Sequence, residues 1–175
     1  MPNADTHDRI TYLFAPVTFV GAQWLWQAPV LSLIATGAML FAGLMFGPDL
    51  DLQSRPYRRW GLLRFIWKPY QVALPHRSVF SHGPVLGTVI RLIYFLAVST
   101  FLGSLLLYVQ QRYVHGAQTT WQEQYLLLRG DVLSFWRGTD RQYLIAGFAG
   151  LCFGALTHTA ADLIWSTTKK LKRNF

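Results

Sequence analysis

Four stretches of the chain, residues 10–26, 28–46, 84–109 and 143–165, each run for 17 residues or more and hold only Arg91 and Asp162 as charged side chains. A helix needs about 20 predominantly apolar residues to cross the ~30 Å hydrocarbon of a bilayer. In water that much apolar surface would have to be hidden. Only 14% of the residues are charged, against about 25% in a soluble domain, so there is little polar surface to do it. The expected fold is an all-α integral membrane bundle of four transmembrane helices, forming one domain over residues 1–175, with a basic cytoplasmic loop (47–83) and an interfacial helix on the opposite side, within 110–142.

The punctuation supports that division. Gln23, Gln27 and Pro29 mark a turn between the first two spans, with Trp24 and Trp26 placed as headgroup anchors. One helix over 10–46 would be near 55 Å long, too much for a single crossing. Pro48 after Gly47 stops the second helix, and Pro84 opens the third. Gly150 and Gly154, four apart, allow close helix packing. The N-terminal stretch has Arg9 against Asp5 and Asp8 and a poor cleavage site at Val20-Gly21-Ala22, so it reads as a retained helix and not as a signal peptide.

Lys and Arg set the orientation. Residues 47–83 hold Arg55, Arg58, Arg59, Arg64, Lys68 and Arg77, and the tail holds Lys169, Lys170, Lys172 and Arg173. Four crossings put both segments and the N-terminus on one side, which is then the cytoplasmic face. Arg55, Arg58, Arg59 and Arg64 alternate with Tyr57, Trp60 and Trp67, a pattern suited to anionic lipid headgroups. The net charge of +8 is therefore assigned to lipid, and no nucleic-acid partner is expected. The single cysteine, Cys152, excludes an internal disulfide framework and a multi-cysteine zinc site.

The ionisable residues are not scattered. His7 precedes the first span, Asp49 and Asp51 follow the second, His76 and His82 approach the third, and His158 and Asp162 sit late in the fourth. All seven lie at the cytoplasmic ends of their helices, where a bundle brings them together. His158 and Asp162, four apart, share a helix face, and a carboxylate at that depth is costly unless paired or metal-bound. A plain His–Asp hydrogen bond is the structural alternative. Imidazole and carboxylate without thiolate suit zinc, manganese or iron. Seven candidates exceed one closed zinc site, so either two ions share a carboxylate or one ion leaves Asp51 and His82 for acid–base work. Arg77 is placed to hold a phosphate. Arg91 should face the interior and pair there. His115 lies across the bilayer from this group.

Thr6-His7-Asp8-Arg9, Gly43-Leu44-Met45-Phe46-Gly47-Pro48-Asp49-Leu50-Asp51, Tyr57-Arg58-Arg59-Trp60-Gly61, Pro75-His76-Arg77-Ser78, Ser81-His82-Gly83 and Thr157-His158-Thr159-Ala160-Ala161-Asp162 occur in this order. The series resembles an uncharacterised bacterial membrane family of metal-binding proteins over nearly the whole chain. More distantly it is similar to the membrane-bound metal-dependent hydrolases, in which an early His, an Asp-x-Asp, a His-Arg, a Ser/Thr-His and a late His-x-x-x-Asp recur. The first resemblance implies a bound metal, and the second implies a hydrolase. Residues 113–142 carry none of the shared motifs. The expected function is a membrane metal-dependent hydrolase of a phosphoester, lipid-borne or free. The alternative is a non-catalytic subunit or assembly factor of a larger membrane complex, its helix ends stapled by a metal. An ion transporter is disfavoured, because the middle of the spans offers little polar besides Arg91, Ser99, Thr100 and Ser104, all on one helix.

Overall fold

A computed structural model describes residues 3–75, 78–114, 116 and 120–173; His76, Arg77 and His115 lie outside them. Among the described residues there is helix and no strand. The described residues form eight α-helices in order: α1 (Ala4–Trp26), α2 (Pro29–Leu44), α3 (Arg55–Arg59), α4 (Lys68–Ala73), α5 (Val79–His82), α6 (Leu86–Val109), α7 (Trp121–Gly138) and α8 (Arg141–Arg173). Short 3-10 turns at Pro48–Asp51 and Gly61–Trp67 link the helices of the basic segment.

The helix ends differ from expectation for local reasons. α1 starts six residues earlier than the apolar run, because Asn3 caps it, its side chain accepting the Thr6 amide at 2.9 Å. α8 continues past Trp165 through the lysine tail, where no proline or glycine interrupts it. Among the described residues, three segments are long and apolar enough to cross a membrane: Pro29–Asp51, Leu86–Val114 and Arg141–Leu171. α1 has the length at 23 residues, but Thr11, Pro16, Thr18 and Gln23 dilute it. The amphipathic segment expected between the last two spans is α7, opened by a capping box between Thr120 and Glu123.

The described chain divides into two compact units, one formed by residues 1–91 and 141–175 and the other by residues 92–140. In the first, α2 packs along α8, and α1 lies against both. Glycines make this approach possible. A Cβ on Gly150 would strike the Ala35 carbonyl, and one on Gly154 would sit 2.7 Å from the Ala42 Cβ. Ala35, Met39 and Ala42 are buried along this seam. The segment after α2 folds over an aromatic cluster in which Trp67 meets Phe46, Trp60 and Tyr70 edge-on at 5.2–5.7 Å. In the second unit Phe101 meets Trp121 edge-on, and Trp121 stacks on Tyr125.

A charged clamp ties α1 to α3. Arg59 donates to both Asp8 carboxylate oxygens at 2.9 and 2.6 Å and to the Leu44 carbonyl at 2.8 Å. Arg55 reaches Asp5 and Asp8. Burial alone would push the Asp8 carboxyl up, but the two guanidiniums outweigh it and hold the group below the usual carboxylate range. Two of the four arginines expected at the lipid surface are thus engaged within the protein, while Arg58, Arg64 and Lys68 stay exposed.

Candidate metal centre

Three helices and one tight turn bring the ionisable residues together. The Asn3 cap extends α1 back over His7, and His7 and Thr11, one turn apart, are both buried; Thr11 donates its hydroxyl to the His7 carbonyl at 3.0 Å. α2 ends at Leu44, short of the expected stop at Pro48, and Gly47 and Pro48 start the 3-10 turn that carries Asp49 and Asp51. Ser78 caps α5 and accepts the Ser81 amide at 3.1 Å, which places His82 at the end of that short helix. α8 supplies His158 and, one turn on, Asp162. His7, Asp51 and His158 are only 8, 4 and 4% exposed.

The groups meet as a chain of alternating rings and carboxylates. His7 Nε2 lies 3.4 Å from Asp162 Oδ1, and Asp162 Oδ2 lies 3.8 Å from His158 Nε2. His158 Nε2 is 3.3 Å from Asp49 Oδ2, and Asp49 Oδ1 is 3.6 Å from His82 Nε2. His82 Nδ1 faces Asp51 Oδ2 at 3.5 Å and the Ser81 hydroxyl at 3.0 Å. The rings of His7 and His158 stack.

These spacings are informative. Most are too long for charge-assisted hydrogen bonds, which run about 2.7–2.9 Å. No hydrogen bond within the described residues reaches the buried atoms His7 Nδ1, Asp49 Oδ1, His158 Nδ1 and Nε2, or Asp162 Oδ1 and Oδ2. Such a concentration of unmet buried polar groups is costly unless something else satisfies them. Nitrogen and oxygen donors bonded to zinc at about 2.0–2.2 Å in tetrahedral array sit about 3.4 Å from one another. The ring–carboxylate separations centre on that value, so the donor set fits a divalent cation. Two groups of three can each hold one: His7, His158 and Asp162; and Asp49, His82 and Asp162. Asp162 belongs to both.

Of the seven residues expected to hold metal, the structure brings together His7, Asp49, Asp51, His82, His158 and Asp162. His76, and Arg77 with its expected phosphate contact, fall outside the described residues. Asp51 stands one step back. It faces the His82 Nδ1 edge and belongs to neither three-residue group, which is the position of a carboxylate that orients an imidazole.

Arg91 is fully buried beneath this edge of the cluster. It donates to the Ser81 carbonyl at 2.6 Å and to the Thr88 hydroxyl at 3.0 Å. Its charge also acts on Tyr70 and Asp51. Burial pushes the Tyr70 hydroxyl up in pKa, against the opposing pull of Arg91. Sequence reasoning predicted that Arg91 would face inward but missed its partners, Ser81 and Thr88. Position 88 is one turn before Arg91, which was the available signal for Thr88. The Asp8–Arg59 clamp was also missed, since no local spacing links residues 51 positions apart.

The family match agrees with a metal-competent donor set. The family model "Uncharacterized metal-binding protein (DUF2227)" matches residues 2–172. An uncharacterized protein of Aquifex aeolicus (strain VF5) is 43% identical over 56 residues, an alignment covering 31% of this chain and 39% of that protein. No solved structure matches.

Proposed function

The chain belongs to this uncharacterized metal-binding family, and from that premise we propose that it is a membrane-embedded metal-dependent hydrolase acting on a phosphoester. The observation that carries the reading is the set of unmet buried ligand atoms on His7, Asp49, His158 and Asp162, with the His82 ring 3.6 Å from Asp49. Embedding is supported by the three long apolar helices; we take α1 as the fourth crossing. The N-terminus, the basic segment and the late part of α8 meet on one side, as a cytoplasmic cluster requires.

Zinc suits the donors best, with manganese or iron as alternatives, and the shared Asp162 leaves room for one ion or two. A divalent ion bound there supplies Lewis acidity toward a phosphoryl oxygen and lowers the pKa of water. The chain's own residues do the rest. His7, His158, Asp49 and Asp162 hold the charge. Asp51 fixes the His82 ring through Nδ1, leaving Nε2 turned toward the centre. Whichever of His82 and Asp51 is not bound serves as the base. The exposed Arg58, Arg64 and Lys68 supply positive charge for an anionic headgroup.

The test starts with elemental analysis of protein purified without chelators, followed by phosphodiesterase assays of wild type, His82→Ala and Asp162→Ala. Stoichiometric metal, with activity lost in both variants, is the expected result. Metal-free protein of native fold would end the reading. One observation favours a second reading: the cluster joins α1, α8 and the turn after α2 and is almost sealed from solvent. A structural metal stapling the helix ends would do the same. It predicts metal and fold lost together on chelation, no turnover, and co-purification with a larger membrane complex.

A further inference from the structure

Between α1, α2 and α8 runs an open groove of about 400 Å³, within the size range of small-molecule sites. α1 contributes Val17, Gly21 and Leu25, α2 contributes Ala35, and α8 contributes Ala149 and Phe153. The one hydroxyl on its wall, Thr18 Oγ1, is already committed to the Phe14 carbonyl at 2.7 Å. Apart from the Trp26 indole N–H, the walls offer no uncommitted side-chain donor to a polar guest, so they favour an apolar occupant.

Position identifies that occupant. Phe153 lies five residues before His158, about 7.5 Å along α8, and Val17 lies ten after His7, about 15 Å along α1. The groove thus begins just below the ionisable cluster and runs away from it along the same two helices. The Phe14–Phe153 edge contact, with centroids 6.0 Å apart, stands between the two. A polar, cation-competent site above an apolar trough matches one molecule with both characters. We infer that the groove holds an acyl chain of a membrane phospholipid whose phosphate headgroup reaches the His/Asp cluster. This deepens the proposed function by making the phosphoester a lipid, and it rests on that reading for the headgroup end only.

Gly21 gives the means of testing it. A Cβ added there meets nothing within 4 Å, and replacing a mid-helix glycine favours the helix. Gly21→Leu should fill the groove from one wall, and Ala149→Leu from the other. The probe is a phosphatidic acid with a photoactivatable diazirine on one acyl chain, reconstituted with the full chain. Wild-type cross-links should concentrate on the groove residues of α1 and α8, well above those on the outward-facing Leu33 and Leu163, which are exposed. Either substitution should cut groove labelling about fivefold or more, the loss of one or two buried methylene contacts, with bound metal unchanged. Labelling spread evenly over all exposed apolar residues would overturn the proposal, as would groove labelling indifferent to both variants. The wild-type distribution decides alone if a variant misfolds. Groove labelling in a protein without metal keeps the acyl site and removes the hydrolase reading. Metal without groove labelling does the reverse.

Discussion

The imidazole of His7 lies flat against that of His158, with ring centroids 4.0 Å apart and planes 14° from parallel. The first and last described helices are joined by this stack. Two protonated rings in such contact would repel each other, and neutral rings leave their nitrogens free to ligate.

Bound metal should therefore stabilise the joined ends of α1 and α8. A ligand at a hundred times its dissociation constant adds about 2.7 kcal/mol to stability. Chelator treatment should lower the thermal midpoint in detergent by an amount that grows with the metal concentration of the untreated sample. His158→Ala removes a ligand from the His7/His158/Asp162 group together with the stacking partner. It should remove the part of the metal-dependent midpoint that this group contributes, and a chelator-sensitive shift as large as that of wild type would contradict the assignment.

The clamp between Asp8 and Arg59 predicts an asymmetry between two neighbouring acids. Asp8 is largely enclosed and accepts from both Arg59 and Arg55, whereas Asp5 is exposed and meets Arg55 alone. Hydrogen bonds to charged partners contribute about 1.5–3 kcal/mol, but exposed ion pairs contribute about 0–1. Asp8→Asn should lower stability in chemical denaturation by about 1–3 kcal/mol, and Asp5→Asn by a few tenths to ~1. Equal losses would show that the clamp is only a surface contact.

The helical class and the long apolar segments were legible in the sequence because both are one-dimensional signals, namely run length and composition. The clustering residues were legible for a related reason: His7, Asp49, Asp51, His82, His158 and Asp162 are rare residue types in an apolar chain, and each sits near the end of an apolar run. What stayed hidden was pairing. Nothing local tells Asp8 that Arg59 will lie beside it, or that Arg91 will reach back ten residues to the Ser81 carbonyl. The short helices of the basic segment were equally obscure, since α3, α4 and α5 are too short to show a period. The start of α1 was misplaced because its polar first turn depends on a cap at Asn3 and not on hydrophobicity.

Glycine substitutions should separate the tight seam from open surface. A Cβ at Gly150 meets the Ala35 carbonyl, and one at Gly154 meets the Met39 carbonyl and the Ala42 side chain. Backbone cannot yield as a side chain can, so Gly150→Ala and Gly154→Ala must push α2 from α8, at about 1–3 kcal/mol each. Gly37, on the same α2, has nothing within 4 Å. Gly37→Ala should be neutral, or stabilising by up to ~1 kcal/mol through helix propensity. Thermal midpoints of the three variants check this ordering, and metal affinity should fall with the first two, because α8 carries His158 and Asp162.

Arg91 gives the sharpest test of how the His82 side of the cluster is held. Its guanidinium is wholly buried and binds the Ser81 carbonyl, one residue before His82, while its charge faces Asp51, which abuts the His82 ring. Removing one member of a buried charged set costs about 3–5 kcal/mol, because the partner charge is left uncompensated. Arg91→Met should therefore destabilise strongly. Arg91→Lys should restore the charge but not the geometry, since a point-charge ammonium cannot span both the Ser81 carbonyl and the Thr88 hydroxyl as the planar fork does. The expected pattern is graded stability, with Met well below Lys and Lys below wild type. Metal affinity should be impaired in both variants, because the Ser81–His82 peptide loses its anchor. Wild-type metal affinity in Arg91→Lys would mean that charge alone, and not the hold on Ser81, positions His82.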